Sequence, residues 1–132
     1  MRLYRGLKQP YKPERCAARI HTPANLQGTD FTDCPYTALQ YAHGPQGVVL
    51  IVDVAPDDDV RVSEELWLGA KMKRLMVWGI FDQCIQAVIP AKELRAEVRR
   101  KGMMRLSDQD KGAILKQVIK QWLAINEPVV WN

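Results

Sequence analysis

From Met1 to Leu7 apolar and polar positions alternate with the period of a strand, which ends at Gly6-Leu7. Pro10 and Pro13 then forbid regular structure in a basic connection, because proline fixes φ and has no amide donor. Residues 15–20 read as a short strand or an irregular stretch before His21-Thr22-Pro23, and Gly28 to Asp33 as a turn leading into a short strand. Cys34-Pro35 opens a helix, with Asp33 or Cys34 as cap and Pro35 in the first turn. Ala38, Leu39 and Ala42 form its apolar stripe, and His43-Gly44-Pro45 ends it.

Val48-Val49-Leu50-Ile51-Val52 is continuous, mostly β-branched and apolar, the signature of a buried central strand. Asp57-Asp58-Asp59 is a turn and Val60-Arg61-Val62 a short strand, while Glu64 to Arg74 reads as a short helix or an irregular insertion. Leu75–Ile80 and Asp82–Ile89 give two strands, or one bent at Gly79. A helix starts at Pro90-Ala91 and runs to Arg100, apolar at Ala91, Leu94 and Val98 and closed by Gly102. Ser107 and Asp110 have the spacing of a capping box. Beyond them Ile114, Leu115, Val118, Ile119, Trp122 and Leu123 make a long amphipathic helical stripe. With no repeat, linker or low-complexity tract, residues 1–132 are expected to form a single α+β domain.

Composition narrows the class. In 132 residues, 47% are hydrophobic and 26% charged, which favours a folded core over disorder. The longest apolar run stops at Asp53, far short of a bilayer span, and the start lacks a signal-peptide layout, so an intracellular protein with no membrane partner is expected. Cys16, Cys34 and Cys84 are odd in number and widely spaced, and with His21 and His43 they compose neither a disulfide framework nor a metal site.

The net charge of +4 conceals asymmetry. Residues 1–20 hold six basic side chains against Glu14, residues 53–65 six acids against Arg61, and residues 92–120 nine basic against four acidic side chains. Such patches attract an anionic ligand, such as a pyrophosphate or a nucleic acid, or simply solvate helix faces. Arg95, Arg99, Arg100, Lys101 and Arg105 make a basic nucleic-acid binder one alternative. Arg99-Arg100-Lys101 equally complements a helix dipole.

No triad, phosphate-binding glycine loop or zinc motif is present, which leaves three separated segments. In Leu3-Tyr4-Arg5-Gly6-Leu7 an arginine sits inside a strand, costly to bury unless it meets an anion, beside a glycine that admits close approach to the backbone. The second segment is Gly28 to Asp33 with the helix that follows, and the third is Phe81-Asp82-Gln83-Cys84-Ile85 at the head of a strand.

In this order and spacing, over residues 1–95, the segments resemble the ADP-ribosyltransferase superfamily, in its small single-domain bacterial or phage form. Members open with a Tyr-Arg-Gly or Tyr-His-Gly strand, here Tyr4-Arg5-Gly6. They continue with a Phe-Ser/Thr strand, a helix of the Ala-x-x-Tyr/Phe-Ala kind and a strand like Val48 to Val54. The resemblance implies a split antiparallel β-sheet core that clamps NAD as cosubstrate, flanked by helices. It implies a mono-ADP-ribosyltransferase, a toxin or effector, that modifies a macromolecule, a protein before a nucleic acid.

By the same resemblance Arg5 contacts a phosphate or ribose of NAD, for which its planar fork is suited. Gly6 backbone groups hold the nicotinamide amide, Thr32 props the site, Tyr36 or Tyr41 stacks on nicotinamide, and Tyr4 and His21 join the NAD-binding set. A carboxylate would stabilise the oxocarbenium-like ribose as nicotinamide leaves. Asp82 is the first candidate and Glu65, with Glu64 beside it, the second; Gln83 is a third occupant of the position. The chain departs from the family by carrying Asp82 in place of glutamate, preceded two positions earlier by Ile80 in place of Glu or Gln. A catalytically silent module that inhibits a partner by contact is therefore the other alternative.

Overall fold

The computed structural model describes residues 1–9, 29–55, 61–66, 73–78 and 84–126. Six strands are β1 (Arg2–Leu7), β2 (Thr29–Phe31), β3 (Val48–Asp53), β4 (Arg61–Leu66), β5 (Lys73–Trp78) and β6 (Ile85–Pro90). The helices are α1 (Pro35–Tyr41), α2 (Ala91–Arg100) and α3 (Asp108–Ile125), with a 3-10 turn at Met103–Arg105. The fold is α+β. Its strands form two antiparallel three-stranded sheets, in the orders β1-β3-β6 and β2-β5-β4.

The continuous apolar run becomes β3, the centre of the first sheet, and Val48 to Val52 are all buried. Alternation sorts its side chains onto two faces. Tyr4, Val49, Ile51, Ala87 and Ile89 meet Ala38, Leu39 and Ala42 of α1, Leu94 and Val98 of α2, and Leu115 and Ile119 of α3. Leu3, Leu50, Val52 and Ile85 pack on the opposite face with Phe31 of β2 and Leu75 of β5. The second sheet thus closes over that opposite face.

Helix ends follow their local chemistry. Cys34 is the N-cap of α1, with Pro35 at the first helical position, where its missing N–H costs nothing. Gly102 takes φ +63 after α2, a left-handed conformation that suits glycine. The Ser107 hydroxyl accepts the Asp110 N–H at 3.1 Å and starts α3. Residues 64–66 and 73–74, expected in a helix or irregular insertion, lie instead in β4 and β5, where pairing from Arg61↔Trp78 to Leu66↔Lys73 satisfies their backbone. Tertiary pairing overrides a weak local pattern there. β6 begins at Ile85; the expected turn at Asp57–Asp59 and the stretch at 15–20 lie outside the described residues. Among the described residues no helix is long and apolar enough to cross a membrane, and no group of three His, Cys, Asp or Glu side chains is placed to hold a metal.

Candidate functional site

Among the described residues, one pair joins the backbones of the two sheets. Tyr4 N–H donates to the Thr32 carbonyl and Thr32 N–H to the Tyr4 carbonyl, each at 2.9 Å. Along an antiparallel strand, successive residues direct their backbone groups alternately to its two sides. Tyr4 uses both of its groups on Thr32, so Arg5 faces Leu50 on β3 and Gly6 again presents N–H and C=O toward the β2 side. The same register would set Asp30 opposite Gly6, but no bridge joins these two residues; Asp30 pairs with Met76 of β5. Among the described residues the ladder between the two sheets does not continue past Tyr4 and Thr32, and no described residue meets the Gly6 N–H or C=O.

The Cα face of Gly6 is filled. A Cβ built there would lie 1.9 Å from the Ala38 carbonyl oxygen, so this glycine is required by close packing of α1 against β1. Gly47 does the same one strand over, where a Cβ would lie 2.3 Å from the Ala42 carbonyl oxygen. Among the described residues, the β2-side edge is the one left unpaired at Gly6.

Arg5 shares the face of Leu3 and Leu7, the side over which β2 and β5 fold; it is half-buried, with its Nε enclosed. Tyr4 points the other way, 2% exposed in the core beneath α1, and is a packing residue and not a surface for NAD. Burial pushes its phenol up to about 12. Thr32 Oγ1 accepts the Cys34 N–H at 3.1 Å and so braces the turn from β2 into α1. Tyr36 is half-buried, its hydroxyl accepting a hydrogen bond from Lys111 Nζ at 3.3 Å, with that ammonium 4.6 Å from the ring centroid. Tyr41, at the end of α1, is exposed.

Glu65 lies in β4, the edge strand, with β5 between it and β2. His21, Asp82 and Gln83 lie outside the described residues. Sequence reasoning passed over one residue, Gln86, and placed another, Arg95, only in a basic cluster. Gln86 is the extra residue where the β3–β6 register shifts between Ile51 and Val52, half-buried and donating to the Cys84 carbonyl at 3.4 Å. Bulges re-aim side chains and are common beside active sites. The other is Arg95, whose guanidinium turns inward onto α1, so it leaves the proposed basic cluster. Arg100 pairs with Glu97 at 2.6 Å, which leaves Arg99, Lys101 and Arg105 as the exposed cations of that stretch with no partner among the described residues.

No protein-family profile, no curated protein and no solved structure matches the chain.

Proposed function

We propose that the protein is an NAD-dependent mono-ADP-ribosyltransferase of ADP-ribosyltransferase-like fold, acting on a macromolecular acceptor, a protein before a nucleic acid. The observation that carries this reading is the Gly6 edge. An N–H and a C=O on one residue, both directed to the β2 side of β1 and unpaired among the described residues, form a donor–acceptor pair complementary to a primary carboxamide such as that of nicotinamide. Arg5, on the face covered by the second sheet, is the cation suited to the pyrophosphate or ribose.

In the proposed reaction the nicotinamide–ribose C–N bond breaks, nicotinamide leaves with the bonding pair, and an acceptor nucleophile attacks the ribose carbon and loses its proton. Asp82, with Glu65 as the second candidate, would stabilise the positive charge in between. A second reading, a silent module on the same scaffold, draws on Gln86: the bulge of β6 carries an amide, which supplies no such charge.

Titration calorimetry with NAD, followed by incubation of the protein with labelled NAD and cell lysate, tests the proposal. Binding with transfer of label to a macromolecule is the expected result. Binding of NAD without label transfer or nicotinamide release favours the silent module, and absence of both binding and labelling retires the NAD reading.

A further inference from the structure

The carbonyl end of α1 is held from three directions. Gly6 admits the Ala38 carbonyl, Gly47 admits the Ala42 carbonyl, and from α2 the Arg95 Nη2 donates to the Ala42 oxygen at 2.6 Å and to the Leu39 oxygen at 3.3 Å. Helix ends leave their last carbonyls without intrahelical partners, and a cation there is favoured both by charge-assisted hydrogen bonding and by the helix dipole. A seven-residue helix has little intrinsic stability, so its seat depends on contacts such as these. Among the described residues no acidic side chain forms an ion pair with Arg95, and its guanidinium donates to the carbonyls of Leu39 and Ala42 at the end of α1.

We infer that Arg95 is a positioning residue for the Gly6 edge: by clamping the end of α1 it fixes the Ala38 backbone against Gly6 and so sets how the Gly6 N–H and C=O are presented. The inference rests on the NAD reading only for its consequence in binding. Arg95 touches no ligand itself. Its influence passes from the guanidinium to Ala42, back along one turn of α1 to Ala38, and across to β1. Small displacements of backbone donors matter because a misplacement of about 1 Å can cost roughly 100-fold in a positioned reaction.

The test compares Arg95→Met, Arg95→Lys and the helix-cap variant Ser107→Ala, which removes a hydrogen bond elsewhere and serves as a control for lost stability. The Gly6 amide resonance is followed by nitrogen–proton NMR, and NAD affinity by calorimetry, at a temperature where all variants are folded. Arg95→Met is expected to shift the Gly6 amide and weaken NAD about 10-fold, Arg95→Lys to recover part of both, and Ser107→Ala to leave both in place. An unmoved Gly6 amide in Arg95→Met overturns the inference whatever NAD does, as does an equal shift in Ser107→Ala. If the wild-type chain fails to bind NAD, the functional reading falls, and the Gly6 amide alone still decides for or against the clamp.

Discussion

Thr32 is joined to Tyr4 by two backbone hydrogen bonds, while Gly6, two residues along the same strand, makes no bridge to Asp30, which would continue the ladder. One pair of residues therefore marks where a continuous sheet becomes two. β2 belongs to the second sheet, where Thr29–Phe31 pair with β5, whose Leu75 packs with Phe31 on the face of Leu3 and Leu50. Burial of that second apolar cluster compensates for the lost ladder and leaves a backbone edge open at Gly6.

Gly6→Ala should be the most costly alanine substitution among the described glycines. The added carbon falls 1.9 Å from the Ala38 carbonyl, a backbone atom that cannot turn aside as a side chain would. A loss of about 2–3 kcal/mol, or failure to fold, is expected from overpacking of this kind. Gly112→Ala is the contrast. Its Cβ meets the movable Cys34 Sγ at 2.5 Å, and alanine gains roughly 1 kcal/mol of helix propensity, so the two effects nearly cancel. Urea denaturation of both variants measures the difference, and equal losses would contradict the account of α1.

Tyr4 predicts an alkaline limit. Burial raises its phenol from 10.0 to about 12, so folding favours the protonated form. A group whose native value lies above its unfolded value keeps its full contribution below the unfolded value. That contribution is lost as pH rises through the native one. Stability should therefore be insensitive to Tyr4 below pH 10 and decline toward pH 12. Tyr4→Phe should remove that part of the decline and abolish a late step in the tyrosinate absorbance titration. A late step that survives in Tyr4→Phe belongs to another residue.

Where one face or one cap decides structure, the residues were legible before the fold. The Val48–Val52 run announced β3, Ser107 announced α3, and Ala38, Leu39 and Ala42 marked the buried side of α1. The Glu64–Arg74 stretch was not, because β4 and β5 are specified by their partners across the ladder and not by their own periodicity. The site was half legible. Arg5 and Gly6 drew notice as an odd pair in a strand, but the reason for Gly6 was misread in part: its missing side chain serves α1, and the open edge comes from the departure of β2. Arg95 was indistinguishable in sequence from its basic neighbours, since only packing turns it toward the Ala42 carbonyl.

Lys111 and Tyr36 should respond unequally to substitution. Lys111 is buried, and its ammonium meets the Tyr36 hydroxyl and ring. Removing the acceptor in Tyr36→Phe leaves a buried cation short of a hydrogen bond, a loss of about 1–3 kcal/mol. Replacing the lysine in Lys111→Met removes the charge that has to be desolvated while keeping an unbranched apolar chain, and such replacements are often neutral or better. Thermal unfolding should rank Tyr36→Phe well below Lys111→Met; the reverse order would mean that the ammonium itself stabilises the α1–α3 contact.

The carboxylate of the proposed reaction can be assigned by two conservative variants. A fixed negative charge near the ribose is worth most when it stands within a few ångströms of the developing cation, and its removal typically costs about 100- to 1,000-fold in rate. Glu65 stands on β4, with β5 separating it from β2, so its backbone is roughly 10 Å to the side of β2 at the usual strand spacing. Asp82 lies two residues ahead of Cys84, which packs in the cluster of Leu3, Leu50 and Phe31, on the face that Arg5 shares. Asp82→Asn is accordingly expected to reduce nicotinamide release from NAD by at least about 100-fold, and Glu65→Gln to change it only a few-fold. Arg5→Lys keeps the charge but loses the fork, and should raise KM for NAD more than it lowers kcat. If Glu65→Gln is the variant that stops turnover, the reacting ribose sits against the second sheet, and the Gly6 edge is not where nicotinamide is held.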